Sequence, residues 1–307
     1  MPLEFSALTA ASLESLSRQK TVFFIPVGPL EDHGSHLPLA LDLLEARTLC
    51  RKAGERLESE MSGWTAVILP GFPFGIEANT AQLALTVRAY VLRDALVDVA
   101  RSLTRLGFRH FVCFSGHLGP KQLTAIEEAG KIVSRGRGVQ VLGSLMGPFR
   151  PASANLPTFV SACSALITKE LVKASPFRAR PKEHGGARDT SVALALDGVK
   201  VDPSYANLPE QVHEYSLFGG RASGYWGTPS QASAAQGAQL LDGVIKEVFP
   251  KLRAVWDGAN PQYLFRSWYS ILPPNKSFFK ANMLAMLAML FLIGWFYLMF
   301  ETLFPKG

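Results

Sequence analysis

The chain lacks the patterns that would assign it to several common protein classes. Its 307 residues include only three cysteines, Cys50, Cys113 and Cys163, which are far apart and odd in number. This argues against a disulfide framework or a zinc knuckle and indicates reduced, buried thiols. The net charge of +6 is scattered, and no basic helix or aromatic-interleaved patch indicates a nucleic-acid partner. The first residues show no basic-then-apolar pattern, so no signal peptide is expected.

Two motifs of ester and nucleotide chemistry are also missing. No Gly-x-Ser-x-Gly elbow indicates a serine hydrolase, and residues 116–121 are too irregular for a phosphate-binding loop. What is present is an apolar content of 48%, enough for a full core, and an alternation of strand-like and helix-like segments. The alternation predicts a three-layer α/β/α fold with a mainly parallel central sheet. Strands are expected at 21–28, 65–69, 108–114 and 139–145, and helices at 43–60, 91–106, 121–134 and 162–174.

The most informative stretch follows the first predicted strand. It carries Glu31, His33 and His36, with Asp42 shortly after. Residues two apart in an extended chain point the same way, so Glu31 and His33 can converge, and Asp42 can return after a short loop. Carboxylate and imidazole donors suit a divalent transition metal such as zinc or manganese. From this segment alone, a loop whose polar groups cap the following helix remains the alternative.

Two further segments concentrate chemistry. His117 follows the predicted strand at 108–114, and His184 and Asp189 precede an apolar, helix-like segment. Ligands of such sheets bind beyond the carboxyl ends of the strands. Because Glu31, His33 and His117 all follow predicted strands, we expect them to share one edge of the sheet.

Together these segments resemble the creatininase family of metal-dependent amidohydrolases. The stretch Glu31-Asp-His33-Gly-Ser-His36-Leu-Pro, with Asp42 eleven residues after the Glu, matches the first motif of that family in residues and spacing. Residues 115–120, 184–191 and 224–229 are similar to its later motifs, with substitutions. The resemblance spans roughly residues 15–250 in the expected order.

The resemblance implies hydrolysis of a small non-peptide or cyclic amide C–N bond by water activated at two divalent metal ions, Zn²⁺ or Mn²⁺. It implies that Glu31, Asp42 and His117 hold one ion, and that His33 and Asp42 hold the other. It also implies a homo-oligomer. The remaining ligand of the second ion would be Asp189, and the proton donor to the departing nitrogen would be His184.

The later motifs depart from the family pattern. Asp189 stands where relatives have Glu, which shortens the reach of the carboxylate by about 1.5 Å. Ala187 replaces an acid, and Ser115 and Pro120 replace two asparagines. An alternative hypothesis is therefore a catalytically drifted protein that keeps the fold and binds a partner at a membrane.

The C-terminal region has a different character. Residues 281–300 form a run of twenty residues without a charge, a length typical of a transmembrane helix. Lys276 and Lys280 precede it, which predicts a globular domain that faces the cytoplasm. A buried core or oligomerisation helix is the alternative. We expect a creatininase-like domain at 1–256, a linker at 257–278, a transmembrane helix at 279–302 and a short tail at 303–307.

Overall fold

The computed structural model describes residues 1–76, 83–134, 157–167, 183–211, 224–265, 267 and 279–303. The strands are β1 (Leu3–Glu4), β2 (Thr21–Val27), β3 (Leu30–Glu31), β4 (Thr65–Ile68), β5 (Ala84–Leu85), β6 (His110–Ser115) and β7 (Thr158–Ser161). The α-helices are α1 (Ala10–Ser15), α2 (Leu41–Glu60), α3 (Ala89–Arg105), α4 (Pro120–Ser134), α5 (Ala187–Ala195), α6 (Ala234–Trp256), α7 (Pro261–Leu264) and α8 (Phe279–Leu303). Short 3-10 helices lie at Phe5–Ala7, Ala162–Ile167, Pro203–Asn207 and Pro229–Gln231.

Strand β2 is the centre of a parallel sheet with the order β1-β4-β2-β6-β7. All seven residues of β2 are buried, as expected for a strand covered on both faces. Val22 and Phe24 pack into a cluster with α2, α5 and α6, whereas Phe23 and Ile25 pack into a second cluster with α3 and α4. Because successive side chains of a strand point to opposite faces, these two clusters are the two helical layers. The predicted three-layer α/β fold is confirmed.

The path of the chain creates a crevice beside β2. From β2 the chain passes through α2 to β4 on one side, and then through α3 to β6 on the other. β2 and β6 run side by side to the paired residues Val27 and Ser115. Ligands of open α/β sheets bind outside the carboxyl ends of strands at such a reversal of strand order. The segments after β2 and β6 therefore meet where a site is expected.

Most predicted elements are present with small shifts at their ends. The exceptions lie near β7, a four-residue strand that was not predicted. The helix predicted at 162–174 begins as the 3-10 helix Ala162–Ile167, and its remainder, like the strand predicted at 139–145, lies outside the described residues. The three cysteines are buried and free, as predicted.

The predicted membrane anchor needs correction. Helix α8 covers the predicted span, and its described side chains are largely apolar and exposed. Across the described parts of the chain, however, no helix has the combined length and apolarity needed to cross a membrane. The predicted localisation, a single-pass anchor with a cytoplasmic domain, is therefore wrong, and the transmembrane helix and membrane partner have no support.

Candidate metal centre

A close contact between helix α2 and the end of strand β6 positions Asp42 in the site. It lies in the first turn of α2 and is buried. A Cβ atom at Gly116, directly after β6, would collide with the Asp42 carbonyl oxygen. Only glycine therefore lets the start of α2 approach the carboxyl end of β6 this closely. This contact brings Asp42 to the segments that carry Glu31 and His117.

Glu31, Asp42 and His117, the first metal group, place one ligand atom each within 4.8 Å of one another. The Nδ1 atom of His117 lies 3.0 Å from Glu31 Oε1 and 3.6 Å from Asp42 Oδ2. Tetrahedral donors around zinc are about 3.3 Å apart when each bond is 2.0–2.1 Å long. Among the described residues, no donor lies at hydrogen-bond distance from the buried Asp42 Oδ2 atom. The group therefore fits a divalent ion in spacing and chemistry.

The two oxygens of Asp42 face different imidazoles. Oδ2 is directed to His117, whereas Oδ1 lies 3.5 Å from Nε2 of His33. The Nδ1 atom of His33 lies 3.0 Å from the Glu31 carbonyl oxygen. A carbonyl only accepts hydrogen bonds, so this contact places the proton on Nδ1 and leaves the Nε2 lone pair toward the carboxylates. Each carboxylate oxygen of Asp42 thus faces one imidazole nitrogen.

The electrostatics of the pocket favour positive charge. Burial lowers the pKa of His33, but Asp42 and its acidic neighbours outweigh burial and raise it to about 9. For His117, Asp42 and Glu31 likewise overcome burial and raise the pKa to about 10. Burial opposes ionisation of Asp42, yet the two imidazoles hold its pKa well below the ordinary value. The buried carboxylates therefore attract protons or metal ions into the same space.

A second metal group consists of Glu31, His33 and His184. The His184 ring stacks on His33 at 4.3 Å and on Trp226 at 4.7 Å between ring centroids. Its Nε2 atom lies 2.7 Å from the Asp32 carbonyl oxygen, which only accepts hydrogen bonds, so Nε2 carries a proton and donates to it. The Nδ1 atom is therefore the one that can accept or deliver a proton or bind an ion.

Gly185 makes the approach of His184 to His33 possible. Its φ of +60° lies in the left-handed region, and a Cβ atom there would collide with the His33 carbonyl oxygen. The third sequence motif thus docks directly on the first.

Asp189 is close to this site but engaged elsewhere. Its Oδ1 atom accepts from Nη1 of Arg188 at 2.6 Å, and its Oδ2 atom accepts from the backbone N–H of Gly185 at 2.8 Å. Arg188 also binds Glu45, with 2.7 Å between Nη2 and Oε1. Asp189 is a member of neither metal group in the described residues.

His36 holds the third motif rather than belonging to either metal group. Its Nε2 atom lies 2.9 Å from the Thr190 hydroxyl, in the first turn of α5. Burial lowers the pKa of His36 to about 4, so the ring is neutral at neutral pH. Its role is to connect the first and third motifs.

Sequence reasoning missed Trp226 and the pairing of Glu45 with Arg188. Glu45 lies three residues after Asp42 on α2, a spacing that puts both on one helix face. Arg188 directly precedes Asp189. The available signal was a charged residue near each of two predicted ligands, Asp42 and Asp189. The pairing itself joins residues 143 positions apart and was not predictable from local pattern.

A family comparison decides the affiliation of the fold and site. The sequence profile of the family described as "Creatininase: Creatinine amidohydrolase" matches residues 6–252. The chain belongs to the creatininase family. It is 26% identical over 208 residues to "Creatinine amidohydrolase" of Pseudomonas putida, which covers 64% of this chain and 73% of that protein.

Solved creatininase structures share the fold. "Creatininase Mn" aligns with a TM-score of 0.59 at 21% identity, covering 83% of this chain and 99% of the other. A mutant creatininase of "Zn-Zn type" aligns with a TM-score of 0.61 at 21% identity and the same coverage. The alignments cover nearly all of each solved chain, so the likeness in fold extends over the whole of those creatininases.

Proposed function

We propose that this chain is a metal-dependent amidohydrolase that cleaves a small non-peptide or cyclic amide C–N bond with two divalent ions, Zn²⁺ or Mn²⁺. The first metal group carries the proposal, because three ligand atoms from separate segments converge at the spacing of a metal site. Family membership and the named manganese and zinc forms of its relatives support the same chemistry.

We assign the first ion to Glu31, Asp42 and His117, and the second to His33 and Asp42 with Asp189 as its further ligand. The two oxygens of Asp42 face the two imidazoles, which supports a bridging role. When bound, divalent ions lower the pKa of water to near neutrality and polarise a substrate carbonyl.

His184 is the proposed catalytic acid. The Asp32 carbonyl fixes Nε2–H, and the stack between His33 and Trp226 fixes the plane of the ring. A ring held this way can direct a proton from Nδ1 to the departing nitrogen of the substrate. Because His184 is also in the second metal group, the test must separate proton donation from metal ligation.

Elemental analysis paired with an amidase screen tests the proposal. We expect divalent metal to co-purify with the chain, and chelation to abolish hydrolysis of cyclic ureides or formamides in a screen that also includes short peptides. His117→Asn should lose metal and activity together. A protein with no metal and no activity would refute the enzyme and favour a binding protein that keeps the fold.

A homo-oligomer is part of the proposal and has its own test. Light scattering of the purified chain should give a mass that is a multiple of 33.5 kDa. A single-chain mass at all concentrations would refute this part without affecting the chemistry.

A further inference from the structure

The carboxylate of Asp189, the proposed further ligand of the second ion, already faces a cation, the guanidinium of Arg188. Arg188 is partly buried and contacts two acids, Glu45 and Asp189, through both terminal nitrogens. Glu45 is buried with 4% of its side chain exposed. Burial raises the pKa of Glu45, and the nearby Arg188 opposes this rise. Each charged group therefore stabilises the other, and removing one would leave the other without its partner.

Resting on the proposed function, we propose that Arg188 competes with the second metal ion for the Asp189 carboxylate. The two metal positions then differ in affinity, and the second fills only when Asp189 exchanges the guanidinium for the ion. Arg188 is in this sense a positioning residue, because it acts on metal binding through Asp189.

The hydrogen bonds of Asp189 support the competition. One oxygen is held by Arg188 at 2.6 Å and the other by the Gly185 N–H at 2.8 Å. A carboxylate that already accepts two short bonds, one of them charge-assisted, must give up part of this set to ligate an ion. The shorter side chain of Asp relative to Glu leaves it less reach to do both.

The first metal group differs in the side chains that its carboxylates face within the described part of the chain. Its carboxylates face His33 and His117, which can give up protons and become ligands themselves. A guanidinium offers only donors and cannot be deprotonated in a protein, so it never becomes a ligand. The same pocket therefore has one side ready for a cation and one side that already holds one.

Calorimetric titration of chelator-treated protein with Mn²⁺ tests the inference. We expect wild type to bind one equivalent tightly, and a second at least about tenfold more weakly, a difference of about 1.4 kcal/mol. Removal of Arg188 should tighten the second equivalent about tenfold and leave the first unchanged. Because Arg188→Met alone would leave Glu45 buried without its partner, the comparison is made in a Glu45→Gln background.

Two controls keep the test decisive. Asp189→Asn in the same Glu45→Gln background should weaken the second equivalent whether or not Arg188 is present, because the contested carboxylate is gone. Arg188→Lys keeps the positive charge, but a single ammonium cannot span both acids as the guanidinium does. It should give an intermediate second affinity, and it replaces the double variant if that protein does not fold.

The outcomes separate the inference from the proposed function. Wild-type protein that binds no metal in this titration would refute the proposed function. A tight first equivalent, with a second that is unaffected by Arg188→Met or Arg188→Lys, would refute only the inference. Two equally tight equivalents in wild type would also overturn it.

Discussion

The two sides of the proposed metal site both present buried carboxylates but differ in their charge partners. On one side, Glu31 and Asp42 face His117, a side chain that can itself become a ligand. On the other, Asp189 is paired with Arg188, which cannot. Asp42 contributes one oxygen to each imidazole and so belongs to both sides.

The difference shows that ligand residue types alone do not define a metal site. All five predicted ligands are acids or histidines; Glu31, His33, Asp42 and Asp189 are buried, and His117 is partly buried. What distinguishes them is the group that neutralises each carboxylate when no metal is present. An imidazole can release its proton and become a ligand itself, whereas the guanidinium of an arginine cannot.

The largest expected effect follows from removing the carboxylate that we propose as the bridge between the two ions. Asp42→Asn should abolish metal binding on both sides and reduce kcat/KM by at least about a thousandfold, roughly 4 kcal/mol of transition-state stabilisation. Elemental analysis and steady-state kinetics provide the measurement. Asp98→Asn, the same change at an exposed position on α3, is the matched control. Full metal content in Asp42→Asn would show that the two sides do not share this carboxylate.

The next effect separates the two sides. His117→Asn should remove the tight metal equivalent, whereas His184→Asn should keep it and lower kcat by about a hundredfold to ten-thousandfold through loss of the acid. Metal titration and the pH profile of kcat measure the two roles. If His184→Asn instead loses a metal equivalent, His184 is a ligand of the second metal group rather than the proton donor.

The docking of the third motif on the first depends on Gly185. Gly185→Ala should destabilise the protein by about 1–3 kcal/mol, because it adds a collision with the His33 carbonyl to an unfavourable φ. Gly198→Ala is the matched control, since Gly198 also has a positive φ, +74°, but no atom lies within 4 Å of an added Cβ. Urea unfolding should give the larger loss for Gly185. Equal losses would show that backbone conformation, not close approach, sets the cost.

The last effect depends on pH and concerns His36, which links the two motifs. Its pKa is lowered to about 4 in the folded chain, so between pH 6.5 and pH 4 the unfolded chain takes up a proton that the folded chain does not. The contribution of neutral His36 to the free energy of unfolding is fully present above pH 6.5 and is lost as the pH falls, by up to about 3 kcal/mol. Urea unfolding of chelator-treated wild type and His36→Gln at pH 8 and pH 4.5 should show a smaller loss for the variant. Parallel losses would contradict a neutral, buried His36.

The sequence predicted the parts of the site that follow from sheet geometry. Glu31, His33 and His117 converge because they follow β2 and β6, whose carboxyl ends adjoin. The Glu45–Arg188 pair was not predictable, because which acid an arginine finds depends on how α5 docks against α2. Strand β4 is as short as β7 but lies in the apolar run 65–69, whereas β7 has only two apolar residues between Thr158 and Ser161 and was missed.

Anomalous diffraction from crystals given one equivalent of Mn²⁺ tests the central claim most directly. We expect a single strong peak bounded by Glu31, Asp42 and His117, with Asp189 still paired to Arg188. A peak that instead lies against Asp189, with the arginine displaced and the first metal group empty, would contradict it.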